Sequence, residues 1–290
     1  MHNRIRNSAL AVFLLLAGST AVLARECQDS DFSGPYVVLV GGDIINVAPF
    51  FTLPAGPFSR LALLIADGKG KVTVPFAQGN YFGVIFAEPF TGIFSVRPDC
   101  LVQFRFDVPP PVQSSLPFTG VLYDHNSTVE MILSGFGVAI HGSQTRQQVA
   151  GCRLSDFKGA FEISMSGVVL NTPPSFPFPG YTQPPPPFPL GDFLRVGKFQ
   201  SDGAGGFTMD VVTSYNGTNL DGTIPMVLEH ITGTYTMDSS LCKVALSYKL
   251  NPANPASPTI VVDGLMIDHD RLALMFLTPG TNIRGTMNRQ

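Results

Sequence analysis

Two Asp-His pairs, Asp124-His125 and Asp268-His269, are the residues whose types could do acid–base or metal chemistry, and they recur at matching places in two halves of the chain. Each falls where a hairpin turn is required and is followed by Asn126 or Asp270, so turn chemistry accounts for them. Asp67 and Asp202 could be imagined as calcium ligands. A calcium ion takes about six to eight oxygens, however, and no cluster of carboxylates accompanies either residue. His141 and His230 have no counterpart in the other half and no pattern of partners. There is no G-x-S-x-G, no H-E-x-x-H, no phosphate loop and no dinucleotide fingerprint. The sequence therefore assigns no catalytic residue, no metal ligand and no cofactor.

Cys27, Cys100, Cys152 and Cys242 are the four cysteines. They are widely spaced, without a C-x-x-C, which argues against redox or metal chemistry. Four cysteines allow three pairings, and only Cys27 with Cys100 and Cys152 with Cys242 respects the internal duplication without linking its halves. Such bridges suit an oxidising compartment. Residues 1–24 read as an export signal: Arg4 and Arg6, an apolar stretch from Ala9 to Ala17, then Val22 and Ala24 at the −3 and −1 positions of a cleavage site. Secretion or a periplasmic location is expected, with no transmembrane segment after cleavage. Asn126-Ser-Thr128 and Asn216-Gly-Thr218 fit the glycosylation sequon, which matters only in a eukaryotic secretory pathway.

The elements that position these residues are strands. Only 13% of residues are charged, while Gly and Pro number 29 and 25, a balance suited to short strands and turns. Without Arg4 and Arg6, the 18 basic residues fall to 16 against 21 acidic ones. No block of like charge is present, which disfavours nucleic acid or anionic membrane as partner.

Five blocks occur twice in the same order. Cys27-x4-Phe32-Ser-Gly34-Pro-Tyr36 matches Cys152-x4-Phe157-Lys-Gly159-Ala-Phe161. Asp67-Gly-Lys-Gly70 matches Asp202-Gly-Ala-Gly205. Phe90-Thr-Gly92-Ile-Phe94 matches Ile231-Thr-Gly233-Thr-Tyr235, each running on to a cysteine. The Asp-His pairs come fourth, and Gly142-x3-Arg146-Gln147 against Gly285-x3-Arg289-Gln290 closes the series. The chain accordingly divides into a leader (1–24), a first unit (25–147), a linker (148–151) and a second unit (152–290), with units that touch across so short a linker.

Apolar residues alternate with polar ones in both units and in the same phase: Val102, Phe104 and Phe106 against Val244, Leu246 and Tyr248. Val72, Val74 and Phe76 correspondingly match Phe207, Met209 and Val211. About eight runs per unit, most shorter than the ~9–11 residues of a membrane-spanning strand, predict an all-β protein of two tandem antiparallel eight-stranded barrels. Two β-sandwiches are the alternative.

Between the first two strands each unit carries a Pro/Phe-rich insert. The first includes Phe50, Phe51 and Phe58; the second, residues 172–190, includes Phe176, Phe178, Tyr181 and Phe188. These are the candidate ligand or partner loops, read as a lid across one barrel end, a gate, or an aromatic contact surface.

The repeated blocks resemble those of a widespread group of small secreted bacterial β-proteins of unassigned function, here duplicated over nearly the whole mature chain. Pro35, Leu101-Val102 and the separation of Asp238 from Cys242 depart from that pattern. By strand count the units are similar to lipocalin-like and allene-oxide-cyclase-like barrels, an analogy of architecture alone. Three functions follow as expectations: a non-enzymatic binding module for a small apolar molecule under the Pro/Phe loops, a structural or protein-interaction protein of the cell envelope, or a barrel isomerase or cyclase.

Overall fold

Residues that alternate in the sequence alternate across the walls of two closed antiparallel barrels. The computed structural model describes residues 26–45, 55–108, 114–133, 137–170, 188–218, 220, 222, 228–251, 253–254 and 256–290. The first half comprises β1 (Ser33–Ile44), β2 (Gly56–Asp67), β3 (Lys71–Tyr81), β4 (Val84–Ala87), β5 (Phe90–Val96), β6 (Leu101–Val108), β7 (Ser114–Tyr123), β8 (Thr128–Leu133) and β9 (Val138–Arg146). Strand β1 pairs with both β2 and β9, and β2 with β3, which closes an eight-membered ring; β4 hangs beside it on the end of β3. The second half comprises β10 (Gly159–Val169), β11 (Gly191–Ser201), β12 (Gly206–Tyr215), β13 (Leu228–Asp238), β14 (Lys243–Lys249), β15 (Thr259–Met266), β16 (Arg271–Phe276) and β17 (Thr281–Arg289), closed by β10 with β17. Several strands are longer than the sequence suggests, reaching 12 residues in β1 and β2.

Phe104 and Leu246 occupy matching positions inside their barrels. Gln103, Arg105 and Asp107 face out, as do Glu162, Ser164 and Ser166. One expectation is overturned. Phe76 does not join Val72 and Val74 inside: the β2–β3 register shifts by one residue between Leu63 and Ile65, so Ala77 turns inward and Phe76 outward. A bulge of this kind reverses every later side chain of the strand.

One end of each barrel is stoppered by the segment before its first strand. A short 3-10 turn, Asp29–Asp31 or Leu154–Phe157, delivers a fully buried phenylalanine. Phe32 packs on Tyr36, Phe94 and Phe104, and Phe157 on Phe161, Phe199 and Tyr235. The repeated closing arginine clamps this segment: Arg146 Nη2 donates to Ser33 O at 2.8 Å, and Arg289 Nη1 to Lys158 O at 2.7 Å. Disulfides Cys27–Cys100 and Cys152–Cys242 tie the same segments to β6 and β14, with Cα atoms 5.0 and 5.2 Å apart.

The barrels meet side by side through outward residues. Val37, Leu39, Leu61, Leu63 and Phe76 of the first pack against Leu265, Ala273 and Met275 of the second. Gln147 Nε2 donates to Met266 O at 2.8 Å, and Gln148 N to Ile267 O at 2.7 Å, holding the connecting segment against β15. Lys243 pairs with the buried Asp263 at 3.0 Å and lies over the Phe76 ring. The Arg284 guanidinium crosses Gly41 so closely that a β-carbon there would lie 1.1 Å from its Nη1.

Candidate functional site

The structure resolves the tempting polar residues into turns. Asp124, His125 and Asn126 have φ near +53°, +53° and +67°, and Ser127 Oγ donates to Asp124. Asp268 accepts from Asp270 N and Arg271 Nε at 2.8 Å each. Asp67 Oδ1 accepts from Lys69 N and Lys71 N, and Asp202 Oδ1 from Ala204 N and Gly206 N, all within 2.7–2.9 Å. These backbone donors, Lys71 and then Lys69 for Asp67, Ala204 and then Gly206 for Asp202, hold both carboxyls below the usual range. His230 pairs with Asp210 on the outside at 2.6 Å, and His141 is exposed. Among the described residues, no three His, Cys, Asp or Glu side chains gather as a metal site.

Of the aromatic loop candidates, Phe50, Phe51, Phe176, Phe178 and Tyr181 lie outside the described residues. Phe58 is an inward residue of β2 rather than part of a loop, packed on Tyr81. Phe188 is likewise buried, covering the end of the second barrel against Phe193, Tyr215 and Phe276.

The chemistry that sequence reasoning missed lies beneath those ends. Arg60 takes an inward place on β2 between Phe58 and Ala62, and is 3% exposed. Its Nη2 donates to Tyr81 Oη at 2.6 Å and to Glu88 Oε2, while Tyr81 Oη donates to Glu88 Oε2 at 2.9 Å. The guanidinium also lies 5.3 and 5.1 Å from the Phe58 and Phe90 ring centroids. Arg195 takes the matching place on β11: Arg60 pairs with Val40 and Gly79, Arg195 with Met165 and Thr213. Its Nε donates to Thr213 Oγ1 at 2.9 Å, Nη1 to Tyr248 Oη at 2.6 Å, and Nη2 to Tyr215 Oη and Glu229 Oε2 at 3.2 and 3.4 Å.

Tyr81 and Tyr215 are equivalent by register, each facing the phenylalanine two residues before its arginine. Glu88 and Glu229 each stand four residues before the repeated Gly92 or Gly233. A buried Arg-Tyr-Glu cluster has therefore been duplicated with the barrel. The signal was present in the sequence, since each arginine stands seven residues before its Asp-Gly-x-Gly turn.

The copies differ in how fully they satisfy the guanidinium. Gly79 and Phe106 stand in the first barrel where Thr213 and Tyr248 stand in the second. Two hydroxyls are thus missing around Arg60. Its Nε has no hydrogen-bond partner, nor has Glu88 Oε1, and a cavity of about 20 Å³ opens there among Arg60, Phe90 and Phe106.

Burial opposes the charge of Arg60, but its contacts with Tyr81 and Glu88 outweigh burial and raise its pKa; Arg195 is raised in the same way through Tyr248, Tyr215 and Glu229. Burial pushes the Tyr81, Tyr215 and Tyr248 phenols up, away from neutral pH. Each guanidinium, with the phenols beside it, holds the neighbouring glutamate side chain in place.

No protein-family model matches the chain, and no curated protein is significantly similar to it.

Proposed function

We propose that the chain is an exported structural or protein-interaction protein that works through its outer faces and loop-bearing ends. The carrying observation is that side chains occupy both barrel interiors. Phe90, Phe104, Phe106 and Phe118 fill the first, and Phe193, Phe199, Phe207 and Tyr248 the second, with arginine clusters above them. Eight-stranded barrels are either filled in this way or hold one small ligand. The cavity of about 20 Å³ beside Arg60 is of the size that holds a water, whereas small-molecule pockets span about 300–1,000 Å³.

Export is supported by the leader-like sequence and by two disulfides that leave no free cysteine among the described residues. No helix of the described residues is long and apolar enough to cross a membrane. Arg105, Asp107, Glu162, Lys198 and Asp210 point outward from the barrels, which a lipid-facing band disfavours. Strand length, by contrast, does not separate the two cases.

A carrier of a small apolar molecule is the second reading. It is favoured by Phe188, which folds over the end of its barrel as a lid would. Native mass spectrometry of protein isolated from its own compartment, followed by organic extraction, separates the two. The interaction reading expects the bare disulfide-bonded polypeptide or complexes of polypeptide alone. An extractable lipid or pigment bound in stoichiometric amount overturns it.

A further inference from the structure

The joint between the barrels is made by unlike faces. The first barrel contributes the outer face of β1–β3, and the second that of β15–β17. Because the barrels are copies, each also carries the other's face. Register fixes where these two unused faces lie. On the second barrel, Val196 replaces Leu61, Lys198 replaces Leu63 and Leu194 replaces Ser59. On the first, Val121 replaces Leu265, Glu130 replaces Ala273 and Ile132 replaces Met275.

The unused faces keep part of the joint's apolar character, at Val196 for Leu61, Val121 for Leu265 and Ile132 for Met275, while Asp210 stands where the joint has Phe76 and Ser164 where it has Leu39. Leu194 and Val196 are 55% and 56% exposed, and Val196 continues across β12 to Val212 and β13 to Leu228. Val121 and Ile132 are 47% and 59% exposed, flanked by Tyr123. Carrying the joint's geometry over to them gives complementary pairs. The contact of Ser59 Oγ with Met275 Sδ at 3.6 Å becomes Leu194 against Ile132. Where Leu63 and Ala273 meet in one apolar cluster, Lys198 and Glu130 bring opposite charges. Gly41 beneath Arg284 becomes Ser166 beneath His141, a small side chain under a shorter ring.

We propose that the second barrel of one chain docks on the first barrel of another copy, repeating the internal joint head to tail. This rests on the interaction reading above and names its partner as a second copy of this chain. The contact is heterologous, so association is open-ended unless successive rotations close a ring. Lys198, Glu130 and Glu162 stand where the joint has Leu63, Ala273 and Val37, which makes the contact wetter than the internal one.

Sedimentation of the full disulfide-bonded chain tests it. The weight-average mass of the wild type should rise with concentration beyond that of a dimer. Leu194→Asp and Ile132→Asp each destroy one face and should remain monomeric alone. Mixed in equal amounts they should form a dimer and stop there, since each supplies the face the other lacks. Both side chains point to solvent; if either variant melts early, Val196→Glu with Val121→Glu gives the same complementation. A wild type that stays monomeric to millimolar concentration, a variant that still associates alone, or a mixture that stays monomeric overturns the proposal. A monomeric wild type leaves the interaction reading standing, because that reading is judged by what accompanies the protein from its own compartment.

Discussion

A guanidinium inside a barrel must find acceptors or destabilise the fold, and the two copies meet that demand unequally. Arg195 has Thr213, Tyr215 and Tyr248 besides Glu229, whose side chain is 21% exposed. Arg60 depends on Tyr81 and on Glu88, which is 1% exposed. Removing one partner of a buried ion pair costs about 3–5 kcal/mol, because the other charge is left uncompensated. Glu88→Gln should lose stability in that range, and Glu229→Gln clearly less. Denaturant midpoints of the two variants check the order, and equal losses would refute it. The Asp67 and Asp202 turns add a pH dependence. Their carboxyl pKa values are depressed in the folded state, so their contribution is complete above the unfolded value near 3.9 and is lost as pH falls through the folded one. Asp67→Asn with Asp202→Asn keeps the accepting oxygen but removes the titration. The double variant should lose less stability than wild type on acidification from pH ~5, read as urea midpoint against pH.

At the scale of elements, the segment before each first strand acts as a cap that is buried, clamped and bridged. Phe157 is fully buried among Phe161, Phe199 and Tyr235, so Phe157→Ala should cost about 3–5 kcal/mol by thermal or denaturant melting. Opening Cys27–Cys100, which spans 73 residues, should cost ~4 kcal/mol in the chain-entropy account. These devices were legible in the sequence because they are local and repeated: Phe32 and Phe157 share their spacing from a cysteine, and the Asp-Gly-x-Gly turns differ only at the variable position. What was illegible depended on pairing between distant segments. The bulge beside Val74 leaves residue spacing intact yet sends Phe76 outward, which only the partner strand reveals. Arg60 and Glu88 are far apart in sequence, and nothing local says that both face one barrel end. The run from Leu61 to Leu64 is apolar without alternation. Its sequence could not say that Leu61 and Leu63 meet a second barrel while Ala62 and Leu64 fill their own.

For the whole molecule, those outward leucines decide whether the chain is two barrels on a string or one body. Met275 belongs to the joint and not to the core of its barrel, which Leu272, Leu274 and Phe276 fill from the same strand. Met275→Asp therefore places a charge beside Ser59, in the cluster that holds Leu61 and Leu63, while leaving both interiors unchanged, and burying an unpaired charge is unfavourable enough to part the surfaces. Parting also pulls on the connecting segment, because Gln147 is bonded to Pro35 O in the first barrel and to Met266 O in the second, while Val149 is buried in the second barrel's core. A protease of broad specificity should then cut the variant in this segment and leave the wild type whole. Each disulfide lies within one barrel, so the products should separate on a non-reducing gel as two folded fragments. Calorimetry on the same variant should resolve two transitions where the docked molecule couples them. If Met275→Asp stays uncut and melts as the wild type does, the apolar joint is not what holds the barrels together, and the short connection alone accounts for their contact.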